Sequence, residues 1–502
     1  MTGSEFTGVT KAARRPTRGT PRRGAAVKRR AALAATAVLA ACLVAACSGA
    51  GSGTGSGAAT ALASAASTPS PAGTASSTGA DWPEYGQNPA RTGVATGVPP
   101  AGPLTTAWAV DLDGAVYAQP LVVGGKVIAA TENDSVYALN RATGKTIWRA
   151  HVGEPVTQPP PNGCGNVYPL GITGTPVYDP ANGLVYAVAE VAGYHHMLVA
   201  LDAATGALRL KRSVDIPTTA NQAAFNQQRP GLAIAGGRVY ATFGGLSGDC
   251  GPYQGSVVSA PLSGDGPLTQ WRTPTSREGA IWAPGGPVVG PDGNLWVSVG
   301  NGANGAGDPY DGSDSVTELS PGLQRLAFFA PSTWADDNDN DLDLGSTQPA
   351  LVGGAVLIAG KRGTGYLLDA AKPGGIGGQL AEQPVCRAFG AAAVSGSVVY
   401  EPCRNDGGLA AVQVSAAGKT VKVLWRGPAD SNGSPVVGGG AVWVTSYDDN
   451  GGGTLYELDP ATGQVRHQIA ISASLPHFSP LSLSGGTAYV STLSGITAIN
   501  GA

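Results

Sequence analysis

The chain has 502 residues, with 31 Lys and Arg against 34 Asp and Glu and a formal charge of −3. Nine bases and one acid fall in residues 1–30, so the remainder carries 22 bases against 33 acids, a net −11. That balance excludes a nucleic-acid partner, and no later run of Lys or Arg offers a basic patch to a lipid surface.

In chain order, residues 1–46 read as a lipoprotein signal peptide, basic at first and then Ala-rich over 31–46. The apolar stretch is shorter than the roughly 20 residues of a membrane span. VAAC at 44–47 resembles the bacterial lipobox, which implies cleavage before Cys47 and lipid on its sulfur. The alternatives are an ordinary secretory signal or a membrane helix, and Arg29 and Arg30 leave twin-Arg export open beside the general route. Residues 48–80 hold Gly, Ser, Ala, Thr and Pro without a charge, a tether that reaches about 30 Å as a flexible coil. An extracytoplasmic monomer anchored to the cell membrane through lipid alone is the expectation.

From residue 117 onward one pattern recurs eight times: an apolar run, a polar turn, and a second run. The second run reads VYALN (136–140), LVALD (198–202), VSAPL (258–262), VTELS (316–320), GYLLD (365–369), LAAVQ (409–413), LYELD (455–459) and ITAIN (496–500). The copies lie 41 to 62 residues apart, which suits units of four short antiparallel strands. Runs such as KVIAAT (126–131) and AVWVTS (441–446) are nearly apolar throughout, as in small sheets covered on both faces. The prediction is an all-β, eight-bladed β-propeller over 81–502. ATG turns at 142–144, 204–206 and 461–463 lead into a fourth strand, but the last copy ends without one. The unassigned strand around Trp108 (105–110) is therefore expected to complete the eighth blade and seal the ring.

Cys42 leaves with the leader and Cys47 takes lipid, so Cys164, Cys250, Cys386 and Cys403 remain for an oxidising compartment. Cys386 should open one strand and Cys403 end the next, around the turn at 395–397, which pairs them across a hairpin. Cys164 then pairs with Cys250 by exclusion. Zinc is disfavoured because there is no C-x-x-C and the adjacent His195 and His196 point to opposite faces of a strand. GGIGG (374–378) and GKRGTG (360–365) read as turns rather than phosphate loops, and no nucleophile motif supports a hydrolase.

DWPEYGQNPARTG (81–93), followed by repeats of the LDAATG type, resembles the pyrroloquinoline quinone repeat propellers over essentially all of 81–502. That family includes quinoprotein alcohol dehydrogenases and the propeller lipoprotein of outer-membrane barrel assembly. Residue types matching the enzymes occur in the same order. The resemblance implies that Trp282 in GAIWAPGG lies under the quinone, Asn301 in VSVGNG binds calcium, Asp343 in DLDLG is the base and also meets calcium, and Lys361 in GKRGTGYLLD touches the quinone oxygens. Intervals are 19, 42 and 18 residues, the last shorter than in the enzymes. The chemistry requires such types: a hard cation on oxygen ligands polarises the quinone carbonyl, and a carboxylate takes the alcohol proton. The enzymes' adjacent-cysteine disulfide is missing, their calcium-binding Glu has only Asp249 as a loose substitute, and no C-x-x-C-H supplies a haem, so an external electron acceptor is implied.

WADDNDNDLDLG (334–345) packs five Asp into twelve residues. Asp337, Asp339 and Asp341 have the alternation of a calcium loop, although Leu342 stands where Gly is expected and no Glu follows seven residues later. Otherwise the segment is a solvated loop between blades four and five. Two functions remain open at this point: a quinone-dependent dehydrogenase acting on an alcohol or sugar, and a non-catalytic propeller presenting its loops to an envelope protein or glycan.

Overall fold

The computed structural model describes residues 80–160, 163–215, 220–404, 407–447 and 451–501. The leader, Cys47 and almost all of the tether lie outside them. Eight antiparallel sheets follow one another in the chain, seven of them with strands in sequence order. The eighth contains Leu481–Ser484, Thr487–Ser491 and Gly495–Asn500, and its outer strand is Thr105–Asp111, with Trp108 opposite Ala498. The eight-bladed propeller and its closure by the N-terminal strand are as expected. Among the described residues no helix is long and apolar enough to cross a membrane.

Burial explains the composition of each blade. Second strands such as Leu295–Val299 and Ala441–Ser446 are buried at every position, whereas fourth strands such as Leu208–Ser213 and Val465–Ile471 face solvent at alternate residues. Separate apolar clusters fill the wedges between neighbouring blades, and one joins blades seven, eight and one across the chain termini. Closure therefore uses the same packing as every other wedge.

The ATG turns have a local cause and a long-range use. In each, the side-chain oxygen of Asn140, Asp202 or Asp459 accepts hydrogen bonds from backbone amides two and three residues on. The turn ends on a glycine with φ near +70°, at Gly144, Gly206 and Gly463. A tryptophan from the preceding blade lies on that glycine, so close that a Cβ at Gly144 would stand 2.7 Å from Trp108. The indole Nε1 of Trp108, Trp148 and Trp425 then donates to the carbonyls of Arg141, Ala203 and Pro460. Each Trp staples one blade to the next.

Residues 82–95 cross one face of the ring. Trp82 pairs with Val122 of blade one, the Tyr178 amide donates to Pro83, the Val289 amide to Pro89, the Val394 amide to Thr92 and the Ala95 amide to Val437. Arg91 is fully buried, bonds Glu84 at 2.6 Å, and donates to the carbonyls of Leu232 and Pro287 in blades three and four. The segment ties six blades together at that end.

Three expectations need correction. The 334–345 segment is no open loop: Trp334–Asn340 is a helix that stops at Asp341 in the left-handed region, φ 55°. GGIGG is more than a turn, because Gly375–Ile376 adds a parallel fifth strand to the outer edge of blade four and covers it. Cys386 precedes the first strand of blade six, Ala393–Ser395, instead of opening it. It is nevertheless bonded to Cys403, as Cys164 is to Cys250.

The wedge between blades one and two buries Glu132, Asp134 and Glu190, and both Asp134 oxygens lack a hydrogen-bond partner. Burial pushes Glu132 up to about 7 and Asp134 up to about 8, with neighbouring carboxylates adding to the shift. Folded values above the unfolded ones mean that this stability is complete below about pH 4 and is lost as pH rises through 7 to 8. Glu132→Gln, which keeps an acceptor for the Gly171 amide, should flatten that decline and raise Tm at pH 9 by about 5 °C, with little change at pH 5.

Candidate functional site

Alternating strand direction puts the connections entering each first strand, and those joining second to third strands, at the same end of the ring. They surround a cavity of about 520 Å³ with contributions from the loops of every blade but the seventh, which places it on the axis. Trp282, Asn301, Asp343 and Lys361 all line it. At its inner end a void of about 20 Å³ is lined by Tyr117, Thr173, Arg229 and Tyr85 of the crossing segment, room for about one water.

One wall is acidic. Lys361 Nζ lies 2.6 Å from Asp341 Oδ1 and 2.6 Å from Asp343 Oδ2, and Asn301 Nδ2 donates to Asp341 at 2.8 Å. Burial raises the Asp343 carboxyl above its usual range, and the Lys361 ammonium opposes that shift. Burial works against the Lys361 charge, but the two carboxylates outweigh it and hold the side chain protonated. The oxygens not used in these contacts, Asn301 Oδ1 and Asp343 Oδ1, are buried without a hydrogen-bond partner. Asp249 joins the same wall, its Oδ1 accepting from the Tyr253 hydroxyl at 2.6 Å. Behind it Asp314 is wholly buried, accepts from the Leu344 amide, and is kept protonated by burial and by Asp343 and Asp337. The close approach depends on glycine: a Cβ at Gly345 would meet the Gly300 amide at 2.5 Å.

An aromatic and cationic surface adjoins the acidic one, with Trp282 Nε1 and Asp343 Oδ1 both beside Gly300. Trp282 meets Phe389 edge-on at 5.3 Å and Phe478 at 6.1 Å. Arg229 lies over Trp282 and Phe478, Lys361 over Trp282 and Phe389, and Arg404 over Phe389. Burial and the two arginines hold His477 neutral, with its pKa down to about 2. No carboxylate stands within ion-pairing distance of Arg229 among the described residues, and this residue lines the cavity beside Trp282.

The calcium-loop reading of Asp337, Asp339 and Asp341 fails on geometry. Asp337 is paired with Arg362 and Thr333, Asp339 turns toward the backbone of Gly305 and Ala306, and only Asp341 reaches the cavity. Successive residues on a helix point about 100° apart, so alternate carboxylates diverge. Among the described residues no group of three His, Cys, Asp or Glu side chains is placed to hold a metal. Asn301 and Asp343 remain the donor pair that fits an oxygen-seeking cation.

The family model described as outer membrane protein assembly factor BamB matches residues 105–314 and 330–497. The chain belongs to this family. BamB from Moraxella catarrhalis is similar in structure, with a TM-score of 0.56 at 15% identity over 79% of this chain and 99% of that one. The quinohemoprotein alcohol dehydrogenase ADHIIG from Pseudomonas putida HK5 gives 0.60 at 13% over 84% and 80%. A europium-containing methanol dehydrogenase gives 0.60 at 15% over 83% and 90%. Comparison with curated proteins gives no match. At these identities the structural likeness establishes the fold.

Sequence reasoning missed Arg229, Phe389, Arg404 and His477 in this BamB-family propeller. A signal existed for two of them: Phe389 and His477 precede the first strands of blades six and eight as Trp282 precedes that of blade four. Arg229 and Arg404 carry no repeated signature.

Proposed function

We propose that the axial cavity binds pyrroloquinoline quinone with a calcium ion and that the protein oxidises an alcohol or sugar, passing electrons to an external acceptor. The observation that carries this reading is the meeting of Trp282, Asn301, Asp343 and Lys361 on one cavity, with Asn301 Oδ1 and Asp343 Oδ1 unpartnered. When bound, the quinone supplies the hydride acceptor that no protein side chain provides. Asp343 takes the substrate hydroxyl proton at Oδ1 while Oδ2 stays on Lys361. Lys361 supplies positive charge beside the reacting atoms. Trp282 offers an aromatic face, Arg229 meets a carboxylate, and Asn301 and Asp343 hold the cation. In the cell the protein is a lipid-anchored extracytoplasmic monomer attached through Cys47.

The family match favours a second reading, in which the same loops bind an envelope protein or glycan without catalysis. Reconstitution with pyrroloquinoline quinone and Ca²⁺, followed by gel filtration, separates the two. About one retained quinone per chain, with quenching of tryptophan fluorescence, supports the cofactor site; a quinone-free protein peak sinks it and leaves the scaffold. In a parallel titration, Eu³⁺ luminescence should appear on binding and be lost in Asn301→Ala; equal binding by both proteins would remove Asn301 from the cation site.

A further inference from the structure

We propose that the Cys164–Cys250 disulfide is a redox latch on the cavity mouth, whose reduction frees the arm carrying Asn166 and speeds ligand exchange. The two cysteines are 86 residues apart, on the connection between blades one and two and on the loop after the second strand of blade three. Cavity-lining residues flank both: Asn166 lies two positions after Cys164, and Ser247, Gly248 and Asp249 lead directly into Cys250. The bond therefore joins two segments of the wall itself.

Among the described residues one backbone bond joins them, Gly165 N donating to Ser247 O at 3.0 Å, and the arm's other backbone bonds are local, as between Val156 and Leu170. Its apolar support is a cluster of Val156, Cys164, Val167, Leu170 and Leu246, with Tyr117, Tyr194 and Phe225 packed against it, separate from the wedges between blades. Asp249 is held independently by Tyr253, so the arm is the part released.

Access favours this bridge over the other. Cys250 is partly exposed and follows three exposed residues, whereas Cys386 and Cys403 are 4% and 0% exposed inside the wedge between blades five and six. A thiolate of an external dithiol attacks Cys250 Sγ, the S–S bond breaks, and Cys164 leaves as a thiolate that takes a proton. The reductant's second thiol attacks the mixed disulfide and releases Cys250. The dithiol becomes a disulfide, and the protein gains two electrons and two protons.

The test treats the folded protein with dithiothreitol, alkylates it, and maps the label by mass spectrometry alongside hydrogen exchange. Label at Cys164 and Cys250 only is expected, with exchange over 163–170 faster by about tenfold and restored on reoxidation. A Cys164→Ser/Cys250→Ser variant should reproduce the fast exchange and ignore the reductant. Equal labelling of both disulfides, or unchanged exchange in the reduced protein, overturns the latch. The ligand arm rests on the cofactor reading: quinone dissociation should quicken about tenfold on reduction, and an unchanged rate in a quinone-binding protein overturns the control of exchange. Failure to bind quinone leaves the exchange measurement intact, so the two failures are distinguishable.

Discussion

Asp343→Asn in the quinone-reconstituted protein should lower dye-linked alcohol oxidation by about 10²–10⁴-fold, the usual contribution of a positioned base. The substitution is nearly isosteric and keeps an oxygen for Lys361, but it removes the lone pairs of a carboxylate at Oδ1, where no other group of the protein competes. Tm should change little, and because Asp343 also meets the cation the rates are compared at saturating Ca²⁺ and quinone, which distinguishes a lost base from a lost binding site. The pH profile adds a second readout. Burial raises the Asp343 carboxyl, so its ionised fraction grows as pH rises, and the rate should climb on the acid side through that raised value. The variant's residual rate should lack this limb. Activity retained within about threefold would remove Asp343 from the chemistry.

Deleting residues 81–112 should abolish soluble expression. The deletion strips the outer strand from blade eight, leaving Gly495–Asn500 as an open, apolar edge of the kind that pairs with other chains. It also removes the Trp108 staple to blade one and the segment that ties six blades together. A finer variant isolates one contact: Arg91→Ala leaves the Glu84 carboxyl buried and unpaired and should cost about 3–5 kcal/mol by denaturant titration. Burial already shifts both groups toward neutrality, raising Glu84 and lowering Arg91, so replacing the pair together with apolar residues should regain most of that loss. A soluble deletion variant with a normal unfolding transition would show that closure is not needed.

The fold was largely legible because its causes are local and repeated. Alternating apolar runs, turns opened by Asn140, Asp202 and Asp459, and glycines that accept a tryptophan recur at intervals short enough to recognise. Closure was disclosed because the last copy lacked a fourth strand while the strand carrying Trp108 stood ahead of the first copy without a blade. The cysteine pairs were also readable, although the argument for Cys386 rested on a strand position that it does not occupy.

The site was half legible. Trp282, Asn301, Asp343 and Lys361 kept recognisable flanking residues, so order along the chain was enough to nominate them. The acidic run misled for a physical reason: alternation spaces ligands on an extended loop but spreads them around a helix, and Arg362 took Asp337, one of the three carboxylates that a cation would need. Arg229, Phe389, Arg404 and His477 are separated by as many as 248 residues and meet only because eight blades close around one axis. Sequence by itself determined the blades and their number, since each depends on backbone preferences acting within a few tens of residues, and the count of strands then left Thr105–Asp111 as the one that seals the ring. Which charges face one another across the cavity, and which of them find a partner, was decided by ring closure, because Coulomb interaction and desolvation depend on distance through space rather than along the chain.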